Sequence, residues 1–418
     1  MSDRRRVVVT GIGVVSPNGV GRENFAAACR TGRSGIRPLQ IDLTKLRSTV
    51  AGIAVDFDPT AVMTTPELRR VPRMIPMALA ASSEALTQAK LDADQFRGDI
   101  DSARRIGVAL GTGGGGLAFI EDQYRDFFIH GTGSLYSITA GTHGNLSSEL
   151  SIAFGLRGPS HVLSTGCTSS TDAIGHAMMQ IRAGIVPMML AGGADSPISR
   201  GILTTFERMR VISTRRWDDP ARASRPFSVD RDGFILGEGA WMFVLEDAEH
   251  AAHRGATVLA ELTGYGSTCD AYHRVQIAPD VEEPVRAMKL AMADAETSPD
   301  TIDYINLHGT GTILNDRLET AAVRKCFGEH ADRIPCSSTK SMIGHAQGAC
   351  GAAGLAATIL SMRDGMLHPT INLDQHDGDC DLDYVSTGPR PASIDTALCN
   401  CIAFGSKNSA IVLRKLGG

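Results

Sequence analysis

The chain has 418 residues, 43% of them apolar, which is material for two packed units and more than one growing core usually holds. Lys plus Arg number 41 against 46 Asp plus Glu, a formal charge of -5 with no long run of one sign, so a grip on nucleic acid is not expected. No apolar stretch is long enough for a signal peptide or a membrane span, and nine cysteines without regular spacing read as reduced thiols, so a cytoplasmic protein is expected.

In chain order, Arg4-Arg5-Arg6 leads into Val7-Val8-Val9-Thr10 and Gly11, the first of five apolar runs at 7–15, 106–110, 161–163, 188–191 and 241–245. Helical or loop material separates them, and strands alternating with helices imply an α/β fold. Gly111-Thr112-Gly113-Gly114-Gly115-Gly116 satisfies G-x-G-x-x-G after a strand. No acid follows at the end of a strand where a ribose would need one, so these glycines read as a close-approach turn near a site. Residues 112–116, 217–228 and 373–383 are rich in Gly, Pro, Asp and Arg and are candidate surface or access loops.

The segment Ser164-Thr165-Gly166-Cys167-Thr168-Ser169-Ser170 joins an apolar run to a helical pattern at Ala173, Ile174, Ala177, Met178 and Ile181. A thiol there stands at a helix N-terminus, where unpaired N–H groups favour the nucleophilic thiolate. The plain alternative is a buried structural cysteine, but the small residues around it favour a reactive one.

Beyond a charged junction at 247–255, runs at 258–262, 302–307, 335–338 and 401–413 repeat the rhythm of the first half. Each half has an early strand ending in Gly-x-Gly (Gly11 and Gly13; Gly264 and Gly266) and a later small-residue helix. The helix from Gly348, with Ala349, Gly351, Ala352, Ala353, Gly354, Ala356 and Ala357, should lie centrally against another backbone. Two halves, 1–255 and 256–418, are expected in one compact body. Cys399-Asn400-Cys401 has no second C-x-C partner and reads as a buried strand.

Two histidines could serve Cys167. His308 follows Tyr304-Ile305-Asn306-Leu307 and opens a Gly-Thr-Gly-Thr turn, and His345 lies ahead of the small-residue helix. His130, His161, His176, His250, His253, His330, His368 and His376 read as solvated or satisfied side chains. Lys340, alone in an uncharged run, needs a partner, and Glu319 is a candidate. Asn315 or Asp316 reads as a helix N-cap. With no H-E-x-x-H or paired C-x-x-C, no metal is expected.

Together these motifs resemble an elongating β-ketoacyl-[acyl carrier protein] synthase of the thiolase superfamily over essentially the whole chain. The resemblance rests on Ser164 to Ser169, His308 to Thr312 with Asn315, Asp316 and Glu319, Lys340-Ser341, Gly344-His345 and Phe404-Gly405. Arg225 to Ser228, Asp232 to Phe234, Gly237 to Ala240 and Asp270 to His273 add to it. The wording around Cys167 and at Ala271-Tyr272-His273 is closest to ketosynthase α subunits of bacterial type II polyketide systems.

The resemblance implies a layered α-β-α-β-α fold from two pseudo-duplicated halves. It implies an acyl chain held on Cys167, decarboxylation of malonyl-carrier protein and Claisen condensation, in polyketide or fatty-acid synthesis. Cys167 and Phe404 N–H groups would form the oxyanion hole, and His308 and His345 would donate to the enolate. Thr310 and Thr312 would hold pantetheine amides, while Lys340 with Glu319 would tune the histidines. No resident cofactor is implied, since phosphopantetheine comes on the acyl carrier protein. A homodimer or a heterodimer with a chain-length factor is implied.

His345 in place of Asn separates the chain from initiating synthases, and His308-Gly309-Thr310 separates it from thiolases. Cys167 separates it from a chain-length factor, although a non-catalytic partner subunit is the rival class. Ala403, Ser406 and Lys407 depart from the family's glycine-rich gating loop. Arg69, Arg70 and Arg73, or Arg210, Arg215 and Arg216, could meet an acidic carrier protein.

Overall fold

In a computed structural model the chain is described over residues 4–405 and 407–416. Ten strands form one hydrogen-bonded path. They are β1 (Val7–Ser16), β2 (Ile106–Gly111), β3 (Ser160–Leu163), β4 (Met188–Asp195), β5 (Gly239–Asp247), β6 (Ala260–Cys269), β7 (Tyr304–Asn306), β8 (Cys336–Ser337), β9 (Thr396–Ala403) and β10 (Lys407–Arg414). Their order is β8-β7-β9-β10-β6-β1-β5-β4-β2-β3, with Gly19–Val20 paired to the end of β1. The first five strands and the last five thus run in the same relative order, third-second-fourth-fifth-first. Among the described residues these two sets of strands pair only where Val7, Val8 and Val9 meet Leu262, Glu261 and Ala260.

Five long helices complete the layers: α1 (Met74–Gln88), α2 (Ser169–Arg182), α3 (Glu282–Asp294), α4 (Ile313–Phe327) and α5 (Cys350–Asp364). Period-two alternation sends successive strand residues to opposite faces. Ile106, Val108 and Leu110 of β2 pack with α1, while Ala109 joins the core around α2 and α5. On β10, Ala410 and Val412 pack with α3 and α4, whereas Ile411 and Leu413 face that same central core. The result is α1, sheet, α2 with α5, sheet, α3 with α4, the five layers the resemblance implied.

Small residues make the close packing possible. A Cβ on Gly351 would lie 1.9 Å from Thr171 Oγ1, so α5 touches α2 nearly backbone to backbone, as its composition suggested. The two Gly-x-Gly pairs lie inside β1 and β6, not at their ends. Their role is packing: a Cβ at Gly11 or Gly13 would meet the carbonyl oxygens of Ala85 or Ala81 at 2.0 and 1.7 Å. At Gly264 or Gly266 it would meet those of Ala291 or Ala287 at 2.0 and 2.2 Å.

Two other expectations change. The run 401–413 is a hairpin, β9 and β10 antiparallel about Phe404 and Gly405, because the polar turn is too short to interrupt the apolar pattern. The glycine turn at 112–116 is mostly buried and is no surface loop: Gly113 lies against Gly348 and the Asp195 carboxylate. Its reading as a close-approach turn holds.

Candidate active site

Cys167 sits at the elbow between β3 and α2. Gly166 takes φ of 74°, which turns the chain, and the helix begins two residues after the thiol. His308 follows β7, and Lys340 opens the short helix Lys340–Ile343 after β8. His345 precedes α5, its backbone clamped by His345 N–H to Ile235 O at 2.6 Å and Gly237 N–H to His345 O at 2.9 Å. All lie beyond the carboxyl ends of parallel strands, where open α/β sheets build sites.

The Cys167 sulfur and the ring nitrogens of His308 and His345 lie within 4.8 Å of one another, all three residues buried. The two imidazoles meet edge to face with centroids 5.5 Å apart, and Phe234 lies 4.9 Å from the His345 ring. A cavity of about 300 Å³ reaches them, lined by Cys167, His308, Thr310, Thr312, His345 and Phe404 with apolar walls from Val211, Ile277 and Ile402. The Phe404 backbone N–H favours the ionised form of the Cys167 sulfur, as a donor near an oxyanion would. A cysteine and two neutral imidazoles are also donors that a soft divalent ion accepts.

Electrostatics correct one expectation. Burial pushes the Cys167 thiol up to about 12, while Lys340 and the Phe404 N–H act the other way, so the resting form is the thiol and not the thiolate. Burial likewise drives His345 down to about 3 and His308 well below its ordinary value, with the Lys340 charge adding to both. Both imidazoles are neutral at physiological pH. The Gln347 N–H donates to His345 Nδ1 at 3.1 Å, which puts the His345 proton on Nε2.

Lys340 and Glu319 are not an ion pair but grip His308 from two sides. Lys340 Nζ donates to the His308 carbonyl at 2.6 Å. Glu319 accepts the His308 and Gly309 N–H groups, both at 2.7 Å, and the Asn400 amide at 2.7 Å. The alternation of β9 sends Asn400 to Glu319, which keeps the carboxylate satisfied without the lysine. Asp316 is not the helix cap. Thr312 caps α4 through its hydroxyl. Asp316 instead accepts from Thr310 N–H at 3.0 Å and Phe227 N–H at 2.7 Å, beside Arg231 at 3.4 Å. It thereby shapes the turn that carries Thr310 and Thr312, whose hydroxyls bond each other at 2.9 Å.

Sequence reasoning missed Asp195. Its buried carboxylate accepts Gly113 N–H at 2.7 Å, Gly114 N–H at 3.1 Å and Gly348 N–H at 2.9 Å, tying the glycine turn to the entrance of α5. An acid ending the small-residue strand Gly192-Gly193-Ala194 was the available signal. Among the docking candidates, Arg73 is held by Glu238 and Arg215 pairs with Asp230, while Arg70 lies over the Tyr136 ring. Arg210 lines the cavity. At the gate Ala403 is buried, Phe404 half-buried and Gly405 exposed, and Lys407 opens β10; Ser406 lies outside the described residues.

The chain matches family models for the N-terminal domain of beta-ketoacyl synthase over residues 4–251 and for its C-terminal domain over residues 259–374. It is 38% identical over 420 residues to 3-oxoacyl-[acyl-carrier-protein] synthase 2 of Coxiella burnetii, covering 99% of each chain. It is 40% identical over 423 residues to the actinorhodin polyketide putative beta-ketoacyl synthase 1 of Streptomyces coelicolor, covering 98% of this chain and 89% of that one. Among solved structures, a type II acyl-carrier protein in complex with its ketosynthase bound to a hexaketide matches with a TM-score of 0.90 at 33% identity, over 99% of this chain and 100% of that one. The ishigamide ketosynthase/chain length factor matches with a TM-score of 0.89 at 32% identity, with the same coverage.

Proposed function

The chain belongs to the β-ketoacyl synthase family, and we propose that it extends an acyl chain held on Cys167 by two carbons from malonyl-[acyl carrier protein]. The observation that carries this reading is the closeness of one thiol and two neutral imidazoles at the inner end of a cavity.

In the first half-reaction the Cys167 sulfur attacks the carrier-bound thioester. The S–C bond to Cys167 forms, the bond to pantetheine sulfur breaks, and the thiol proton leaves with the pantetheine. The Cys167 and Phe404 N–H groups receive the oxyanion. In the second, the malonyl carboxylate departs as CO2, and the electron pair moves onto the thioester oxygen as an enolate. His308 and His345 donate Nε2–H bonds to that oxygen. Neutral donors serve the enolate without holding the carboxylate that has to leave. The enolate carbon then attacks the Cys167 thioester, and the cysteine sulfur is released and reprotonated. Thr310 and Thr312 would orient the pantetheine amides, and Lys340 and Glu319 hold the backbone on either side of the His308 ring.

The carrier protein meets the cavity mouth at Arg210. The second partner is another copy or a chain-length factor, and its seat is the exposed edge strand β3, with Ile152 on the helix packed against it and Phe128, Leu135 and Ile138 as further exposed apolar side chains. Among the described residues no helix is long and apolar enough to cross a membrane, and all nine cysteines are free, which supports work in the cytosol. Incubation with acyl-carrier protein followed by peptide mass spectrometry tests the central claim. An acyl adduct on Cys167 that Cys167→Gln abolishes is expected, and its absence from the parent would leave only a partner-subunit role.

A further inference from the structure

Cys401 lies on β9, fully buried beside the site. Its neighbours on the strand point elsewhere: Cys399 meets Thr358 of α5, and Asn400 meets Glu319. Cys401 packs with Cys167 and Ala403. Its sulfur lies 3.2 Å from the Cys167 carbonyl oxygen and 3.3 Å from His308 Nδ1. One S–H therefore faces two acceptors, of which the imidazole nitrogen is far the more basic. Burial also holds this thiol well above its ordinary titration range, so it keeps its proton to donate.

His345 Nδ1 accepts the Gln347 backbone N–H at 3.1 Å, with the Cys350 sulfur farther off at 3.6 Å. At His308 the Nδ1 contact is Cys401. We propose that Cys401 is a positioning residue for the condensation: its S–H donates to His308 Nδ1 and so holds that ring's own proton on Nε2, facing the cavity. The two imidazoles then present matching N–H groups to one oxygen, one set by the main chain and the other by a side chain. With the proton on Nδ1 instead, His308 would turn a lone pair toward the enolate and repel it. The consequence for rate rests on the enolate reading above, but the proton position does not.

Nitrogen-15 NMR of histidine-labelled protein at neutral pH, with His308 identified by comparison with His308→Asn, measures the proton position directly. The parent should show His308 protonated at Nε2 and bare at Nδ1. Cys401→Ala should mix the two tautomers. It should also slow malonyl-carrier decarboxylation about five- to tenfold in kcat at unchanged KM, the scale of one lost hydrogen bond. Acylation of Cys167 should persist. Cys401→Ser, which keeps a donor, should restore both tautomer and rate. A parent His308 protonated at Nδ1 overturns the proposal even if no Cys401 variant folds, as does a Cys401→Ala spectrum identical to the parent's. If the tautomers behave as expected but Cys167 is never acylated, the condensing reading fails and the role of Cys401 in setting the ring stands.

Discussion

At Cys167 the cost of taking a thiolate out of water exceeds what a helix start returns. The rise from an ordinary 9.0 to about 12 corresponds to about 4 kcal/mol. A helix terminus contributes about 1 kcal/mol in typical settings. Desolvation wins, and the thiol proton stays until the thioester arrives. At the histidines the Lys340 charge acts with burial, since both disfavour imidazolium. Lys340→Met should therefore raise the pKa of His308 and His345, so that both rings titrate at higher pH than in the parent, as histidine NMR against pH can check. An unchanged titration would remove Lys340 from the electrostatics of the site. The residue identities here were legible in the sequence because each stands in a short run of small residues with its own wording. Their couplings were not, because Lys340 and Glu319 reach the His308 backbone, and Asn400 reaches Glu319, from segments far apart in the chain.

At the level of elements, the repeated Gly-x-Gly shows a side chain's absence acting as a packing device. Each pair lets a helix lay two carbonyls, one turn apart, directly on a strand. Gly13→Ala should lower stability by about 3 kcal/mol, because the obstructing atom is backbone and cannot swing aside. Gly98→Ala, whose Cβ would meet nothing within 4 Å, is the neutral control. Denaturant unfolding of both separates packing from a general dislike of alanine. The strand runs and α2 followed from apolar patterning and α5 from its small residues, and the order of parts in the two halves was visible too, whereas α1 and α3 were not placed. The β9–β10 hairpin was not, since Ile402, Ala403 and Phe404 continue the apolar run into the turn. Nor was the cap at Thr312, since Asn315 and Asp316 are equally good cap formers by type.

Across the whole molecule, His368 makes folding sensitive to acid. It is buried among Tyr304, Asn306, Ser337 and Thr339, and burial drives it from 6.5 down to about 4. Above pH 6.5 both folded and unfolded chains leave it neutral, and the term vanishes. As pH falls the unfolded chain takes a proton that the folded one refuses, so stability is lost down to about pH 4. The loss reaches about 3 kcal/mol. His368→Asn should flatten that part of the stability–pH curve between pH 6.5 and 4, and an unchanged slope would place the titration elsewhere.

The edge strand β3 makes a second prediction at this scale. Its odd-numbered residues bond β2, as Val108 N–H to Pro159 O and Thr112 N–H to Leu163 O show, so Ser160 and Val162 turn their backbone groups outward. Val162→Pro removes an outward donor and spares the inner ladder. It should shift the assembled protein toward monomer on light-scattering chromatography, and an unchanged mass would move the partner's seat off this edge.

The place of β10 has a consequence for how the protein is made. This strand lies between β9 and β6, and so joins the outer strands of the second half to everything else, yet it is translated after every strand it joins. While a ribosome is still adding residues 407–414, β6 and β9 carry open edges and the Phe404 N–H has not closed over Cys167. A nascent chain in that interval is exposed to mispairing for as long as synthesis of this strand takes.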